Sequence, residues 1–405
     1  MEKEKMIWRN SSVSLNVTAG KIDSYRKNEE TKNTVRVYDD GKIGVAGSLG
    51  EFDDGRLTEA AKNSLGYGIE YTCELNANRK REEEIGDIIP EKEFMPRMHA
   101  LLDRFSTECP KLAVSNKINI SRLSSSYENS LGASLLSISN SMEFTLLFQN
   151  KGSGNLFDYG YCCSVGKYDE DAVMKDCRLM YDAFYNPVDI EEGEYPVFMT
   201  AGDLLGTTVT QFYANTYASG ASLLSGKLGE RVFSEKFTFC DDRNPQTAHG
   251  SCFFDDEGEF AEGYRQVLVK DGVLKSILTC KQLSRMFELP FAATAGAAYD
   301  GVPSFGFNSG YIKSTANSVR EITSDKAVLI VEAGGGDMTP DGHFATPVQL
   351  AFLVENGEIK GKLPDIGVSG EYFDLLGKDY LGAADNAFFP SMDMTYMACR
   401  MKVSR

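Results

Sequence analysis

The chain has 405 residues, of which 42% are apolar and 25% charged, a composition near the globular average that excludes disorder, collagen-like structure and coiled coil. At about 150 residues per domain, this length predicts two to three domains. The 42 Lys and Arg against 59 Asp and Glu leave a formal net charge of −17, which disfavours unselective binding to phosphate backbones or anionic membranes, so neither nucleic acid nor membrane is expected as a partner.

The first residues, Met1-Glu2-Lys3-Glu4-Lys5, lack the apolar stretch of a secretory signal, and no run approaches the roughly 18 apolar residues of a membrane span. The nine cysteines are odd in number and form no C-x-x-C pair. Reduced thiols and a cytoplasmic location are the expectation.

Along the chain, Val13, Leu15 and Val17 alternate as in a strand, and Val35, Val37, the Asp39-Asp40-Gly41 turn, Ile43 and Val45 read as a hairpin. Helical spacing follows at Leu57, Ala60, Ala61, Leu65 and Ile69, and again at Phe94, Met98, Leu101, Leu102 and Phe105, with Pro110 stopping the second helix. The basic cluster Asn78 to Arg81 runs into Glu82, Glu83 and Glu84 and reads as a solvated loop. Ile118 and Ile120, the polar turn at Asn129 to Gly132, and Met142, Phe144, Leu146 and Phe148 predict further antiparallel sheet. The adjacent Cys162 and Cys163 read as buried, inert thiols. A helix over Val173 to Phe184 closes at Asn186-Pro187.

The acidic segment Asn186 to Glu194 is the best linker, which predicts an N-terminal α+β domain over residues 1–187 and a β-rich C-terminal domain over residues 195–405. In the second, Tyr195 to Thr200 reads as a strand, and Leu205, Val209, Phe212 and Tyr213 as a helix. Asp271-Gly272 and Asn356-Gly357 each stand between apolar runs, the strongest short hairpin signal. Short helices are expected near Cys280 to Phe287, Ser314 to Ile322 and Tyr372 to Leu376. The fold class is therefore α+β in two domains.

Chemistry-bearing motifs are sparse. The three histidines, His99, His249 and His343, are too far apart in the chain for a local metal motif. His249 and His343 with one of Asp255, Asp256 or Glu257 form the one set that folding could assemble in space, and His99 beside a helix's apolar face reads as structural. Gly220 to Lys227 fails as a phosphate loop, because five residues separate the glycines and Leu228 replaces the hydroxyl. In Glu332-Ala333-Gly334-Gly335-Gly336-Asp337, glycines after a strand either admit a ligand's or another chain's backbone or form a tight turn needing positive φ.

Four ordered segments in the second half resemble the TldD/PmbA (TldD/TldE) family. They are Ser222 to Val232 with Asp241-Asp242, Phe254 to Gly258 leading into the Val267 hairpin, the Gly334 to Phe344 glycine run, and Val354-Glu355-Asn356-Gly357-Glu358-Ile359. Val35 to Ala46 and Glu128-Asn129-Ser130-Leu131-Gly132 resemble segments of the family's first domain. The resemblance implies a dimeric α+β protein connected with peptide maturation or proteolysis, in a family some of whose members carry the label of DNA gyrase modulators.

The catalytic TldD branch carries a His-Glu-x-x-x-His zinc motif on a helix shortly before the segment that resembles Ser225 to Glu230. By spacing, its ligands fall near Leu205 and Thr210, with Gly206 in place of the glutamate, and Leu204 through Gly229 holds no His, Asp, Glu or Cys. The branch's late cysteine ligand is also missing between Lys378 and Asp393. The chain is thus most similar to the zinc-free TldE/PmbA branch, which implies no cofactor, no metal and no catalytic residue of its own. The implied partners are a TldD-type metalloprotease subunit or a second copy of this chain, and an extended peptide. Candidate peptide-cleft or subunit-contact residues are Ser225, Gly226, Gly229, Glu230, Gly334, Gly335, Gly336 and Asp337. A stand-alone peptidase with a dispersed metal site and a non-enzymatic homodimeric binding or scaffold protein are the alternatives.

Overall fold

Turn chemistry sets the first sheet. Asp40 and Gly41 both take positive φ, the conformation of a two-residue hairpin loop that matches strand twist. The computed structural model describes residues 1–405, the side chains of Leu205 and Thr207 excepted. The first sheet comprises β1 (Glu2–Thr18), β2 (Lys21–Asp39), β3 (Lys42–Leu49), β4 (Lys80–Ile85), β5 (Leu112–Asn129), β6 (Ser134–Asn150) and β7 (Tyr159–Val165). Its order is β3-β2-β1-β5-β6-β4, and β7 pairs with the half of β6 that β4 leaves open. Helices α1 (Asp54–Ser64), α2 (Glu91–Glu108) and α3 (Glu170–Phe184) belong to this half.

The long strands bury opposite faces in their two halves. Val13 stands opposite Ile120 and Leu15 opposite Ile118, and these residues join Phe94, Met98 and Leu101 of α2 in one buried cluster. Towards the other end, Met6 pairs with Thr34 and Tyr127, and Trp8 with Lys32 and Ser125. Strand residues alternate between faces, so Glu4, Met6 and Trp8 project from the side opposite to Val13 and Leu15. Residues 250–256 cover that second face: Ser139 Oγ accepts the N–H of Gly250 at 3.1 Å, and Ser137 Oγ that of Phe253 at 3.4 Å.

The second half consists of β8 (Gly193–Thr200), α4 (Ala201–Thr208), β9 (Phe239–Asp242), β10 (Arg265–Lys270), β11 (Val273–Leu274), β12 (Ala295–Gly296), β13 (Ser304–Phe305), β14 (Gly310–Ile312), β15 (Ala327–Ala333), β16 (Asp337–Met338), β17 (His343–Glu355), β18 (Glu358–Lys362), β19 (Ile366–Glu371), β20 (Tyr380–Asp385) and β21 (Thr395–Ser404), with further short helical turns between them. The order β15-β8-β21-β19-β17 returns to β15 through a β15–β17 ladder, closing a ring of five strands. Val197, Met199, Val328, Ile330, Met397 and Cys399 fill one core. Their neighbours Phe198, Leu329, Phe352 and Ala398 lie on the other side and join the cluster that holds Val13 and Phe144. The buried core therefore does not stop where the chain crosses from α3 to β8.

The α+β class and both later hairpins are as the sequence predicts, with positive φ at Asp271, Gly272, Asn356 and Gly357. Some expectations need correcting. Lys80 to Ile85 is a strand parallel to β6 rather than a loop, since an edge strand can leave charged side chains in water. His99 is exposed on α2, one position beyond the buried Met98. Cys163 is buried but Cys162 is exposed, because consecutive residues of β7 face opposite sides. The helix expected from Ser314 is confined to Val319–Ile322.

Candidate functional site

Where β8 ends, Thr200 begins α4, and Asp203 Oδ2 accepts both the Thr200 N–H at 2.7 Å and its hydroxyl at 2.8 Å. This is the carboxylate half of a capping box, satisfying a backbone donor that the helix cannot. Burial pushes the Asp203 carboxyl above its ordinary range against the pull of those bonds. Glu332, at the end of β15, is raised by burial and then by the nearby charge of Asp203. The start of α4 opens on a cavity of about 540 Å³ bordered by Gly202, Asp242, Arg265, Tyr311 and Asp393. Arg265 lies 3.5 Å over the Tyr311 ring and its Nε donates to Asp242 Oδ1 at 3.2 Å, so the wall is polar, ordered and partly aromatic.

This region does not fit a zinc ion. The side chain of Leu205 lies outside the described residues, Gly206 and Thr210 are exposed and carry no imidazole or carboxylate, and Asp203, the sole acid of α4, is engaged by Thr200. Among the described residues no three His, Cys, Asp or Glu side chains stand close enough to share a metal. The set built on His249 and His343 is not assembled: His249 Nε2 pairs with Asp393 Oδ2 at 2.8 Å, and His343 Nδ1 with Glu371 Oε1 at 2.9 Å. Asp255 and Glu257 are buried elsewhere.

Ser225 to Glu230 forms a turn against β11. Ser225 Oγ donates to Tyr217 O at 2.8 Å, Gly229 N to Leu274 O at 2.8 Å, and Leu274 N to Glu230 O at 3.0 Å. Gly226 and Gly229 have φ of +77° and +85° with open space where a Cβ would stand. The glycine run joins β15 to β16 and is exposed from Gly334 to Asp337. Gly334 N donates to Pro347 O at 2.7 Å, Gly335 O accepts from Thr346 Oγ1, and Asp337 Oδ1 caps Met338 N at 2.8 Å. Only Gly335 of the three glycines has positive φ. The two groups do not hydrogen-bond to each other.

A buried polar interlock joins the first sheet to the Phe254 to Gly258 segment. Glu4 Oε1 accepts from Arg36 Nη1 and Tyr38 OH, each at 2.9 Å, and Oε2 from Tyr127 OH at 2.9 Å. Arg36 also donates to Asp256 O, and Tyr71 to Glu257. Asp255 accepts backbone N–H groups of Glu257, Glu259 and Ala295, each at 2.9 Å. Burial and the neighbouring Glu257 nevertheless raise the Asp255 carboxyl, while burial raises Glu257. Sequence reasoning singled out Phe254 to Gly258 but missed Glu4 and Arg36; the signal was the alternation of Glu4, Met6 and Trp8 opposite Arg36, Thr34 and Lys32.

Residues 192–405 match the model of the PmbA/TldA metallopeptidase C-terminal domain, and residues 9–66 that of the PmbA/TldA metallopeptidase domain 1. A metalloprotease of Archaeoglobus fulgidus is 27% identical over 393 residues, covering 92% of this chain and 89% of its own. A metalloprotease of Methanocaldococcus jannaschii is 33% identical over 160 residues, 39% of this chain and 35% of its own. The crystal structure of TldE from Thermococcus kodakarensis is similar in fold, with a TM-score of 0.78 at 19% identity over 100% of this chain and 97% of that one.

Proposed function

The chain belongs to the PmbA/TldD metallopeptidase family, and from that premise we propose that it is a zinc-free, TldE-like subunit that completes a peptide-processing assembly with a TldD-type metalloprotease. The observation that carries this reading is the donor set of α4 and the chain after it: Leu204 through Gly229 offers no His, Asp, Glu or Cys, so the helix can neither ligate zinc nor polarise its water. A dimer needs only one metal centre if its second subunit shapes the channel. The fold shared with TldE supports the same reading.

In this assembly the exposed backbone at Gly334 to Asp337 and the turn Ser225 to Glu230 contact the partner or hold an extended peptide in strand form, where glycine admits close main-chain approach. Elemental analysis of the untagged protein, with a peptide-cleavage assay with and without a TldD-type subunit, tests the proposal. Less than about a tenth of an equivalent of zinc, and hydrolysis only with both subunits, is the expected result. About one tightly held equivalent with chelator-sensitive cleavage by this chain alone overturns it.

The metalloprotease name of the near full-length Archaeoglobus fulgidus relative favours a second reading, a stand-alone peptidase. It requires a donor set that the described residues do not bring together, and the same assay separates the two.

A further inference from the structure

Between the first sheet and the segments that cover it lies a second cavity, of about 560 Å³, within the range of small-molecule sites. Its apolar walls are Met6, Trp8, Leu123, Phe254 and Tyr299, and its cations are Lys32, Arg36 and Arg243. None of these residues belongs to α4, the glycine run or the Ser225 turn, so the cavity is separate from the surface argued above.

Cationic side chains outnumber acidic ones on this wall although the chain as a whole is strongly acidic. Arg36 is committed to Glu4 and the Asp256 carbonyl. Arg243 is the countercharge of the buried Asp241, its Nε 3.6 Å from Asp241 Oδ2, but Nη1 makes its one hydrogen bond, to Phe254 O at 3.3 Å, and Nε has no hydrogen-bond partner. A guanidinium presents five N–H donors in a planar fork, of which that bond uses one. Lys32 Nζ sits 4.4 Å from the Trp8 ring and pairs with Glu30 Oε1 at 3.3 Å in a half-exposed contact, placing a cation and an aromatic face at the same wall. Asp256, the single acidic lining residue, has Oδ2 tied to the N–H of Ala297 at 2.6 Å.

We propose that this cavity is a binding site for an aromatic carboxylate, its ring packed among Trp8, Phe254 and Tyr299 and its carboxylate held by Arg243 and Lys32. The fork of Arg243 matches a carboxylate in two parallel bonds. A single negative charge is preferred to a phosphate dianion because Asp241, paired with Arg243, and Asp256 on the wall itself repel added charge. Free aromatic acids and the C-terminus of a peptide ending in an aromatic residue both carry this chemistry.

Trp8 is the only tryptophan of the chain, so its fluorescence in the full-length protein reports on this cavity. N-acetylphenylalanine and benzoate are titrated, with N-acetylphenylalanine amide as the uncharged control. A saturable change with an acid is expected, about ten-fold weaker for the amide. R243K, which keeps a countercharge for Asp241 but loses the fork, weakens binding about ten-fold, and K32Q, on the half-exposed rim, a few-fold. Thermal melts followed by circular dichroism confirm that each variant is folded. Tighter binding of N-acetylphenylalanine than of benzoate assigns the site to a peptide C-terminus; the reverse assigns it to a free acid. No saturable change with either acid, equal affinity for acid and amide, or unaltered binding by folded R243K and K32Q overturns the proposal.

Discussion

Substituting Glu4 by Gln tests whether the polar interlock holds the first strand against the Phe254 to Gly258 segment. Glu4 and Arg36 are only 3% and 2% exposed, so the guanidinium cannot regain water when its countercharge is removed. Breaking a buried pair in this way costs about 3–5 kcal/mol. The amide still accepts from one or two of the three donors at Glu4, which places E4Q near the lower end, at about 3 kcal/mol. R36M costs a similar amount, since Glu4 keeps its two tyrosine donors but loses its cation. The double variant E4Q/R36M removes both charges and should cost about 2–3 kcal/mol less than the sum of the singles. Equilibrium urea unfolding of the four proteins gives the cycle. An E4Q protein within about 0.5 kcal/mol of the parent, or additive single costs, would refute the argument that the charges are desolvated together.

Gly258 has φ of +70°, and a Cβ there would fall 2.6 Å from the Tyr127 ring; G258A should therefore lose about 2–4 kcal/mol by urea unfolding, whereas G335A, with φ of +99° and open space, should lose about 1 kcal/mol. Asp53 Oδ1 accepts the Arg56 N–H at 2.8 Å at the start of α1, and D53A should cost about 1 kcal/mol in the same assay. The carboxyl of Asp255 is raised in the fold, so the unfolded chain gives up its proton first as pH rises. Its contribution makes stability fall with rising pH once the ordinary aspartate range is passed, and D255N should flatten that slope in pH-dependent melts. Thiol labelling of the native protein followed by mass mapping should modify Cys162 before the buried Cys177 and Cys399, and slowly at neutral pH because partial desolvation and the nearby Glu332 and Glu143 raise the thiol of this surface residue; prior labelling of Cys399 would contradict the packing of β21.

What the sequence disclosed depended on whether the signal was local. The hairpins at Asp40-Gly41, Asp271-Gly272 and Asn356-Gly357 are written in two residues each, and α2 and α3 in an apolar stripe. The strand Lys80–Ile85 was illegible because its partner β6 lies far along the chain and its own residues are charged. Strand β1 is legible only from Val13 onward, since its earlier half buries Glu4 and only partly covers Met6 and Trp8, a polar and amphipathic set that becomes an inner face only once the 250–256 segment covers it. That Leu204 through Gly229 holds no His, Asp, Glu or Cys is a matter of residue identity alone. The cavity walled by Trp8 and Arg243 could not, because it brings together segments that no spacing rule connects.

The ring of five strands also constrains the order in which the protein can be made. β21 lies between β8 and β19, pairing Thr200 with Tyr396 and Gly193 with Val403, so during synthesis β8 emerges long before the neighbour that completes its ladder. Closing such distant pairs carries the loop entropy that slows β-rich folding. Until then Phe198 and Leu329 have no Ala398 or Tyr396 beside them in the shared core, and from β8 onward, about half of its length, the growing chain carries an open apolar strand edge. The core that β8 begins is thus complete only when β21 is in place, and until then the open edge invites aggregation.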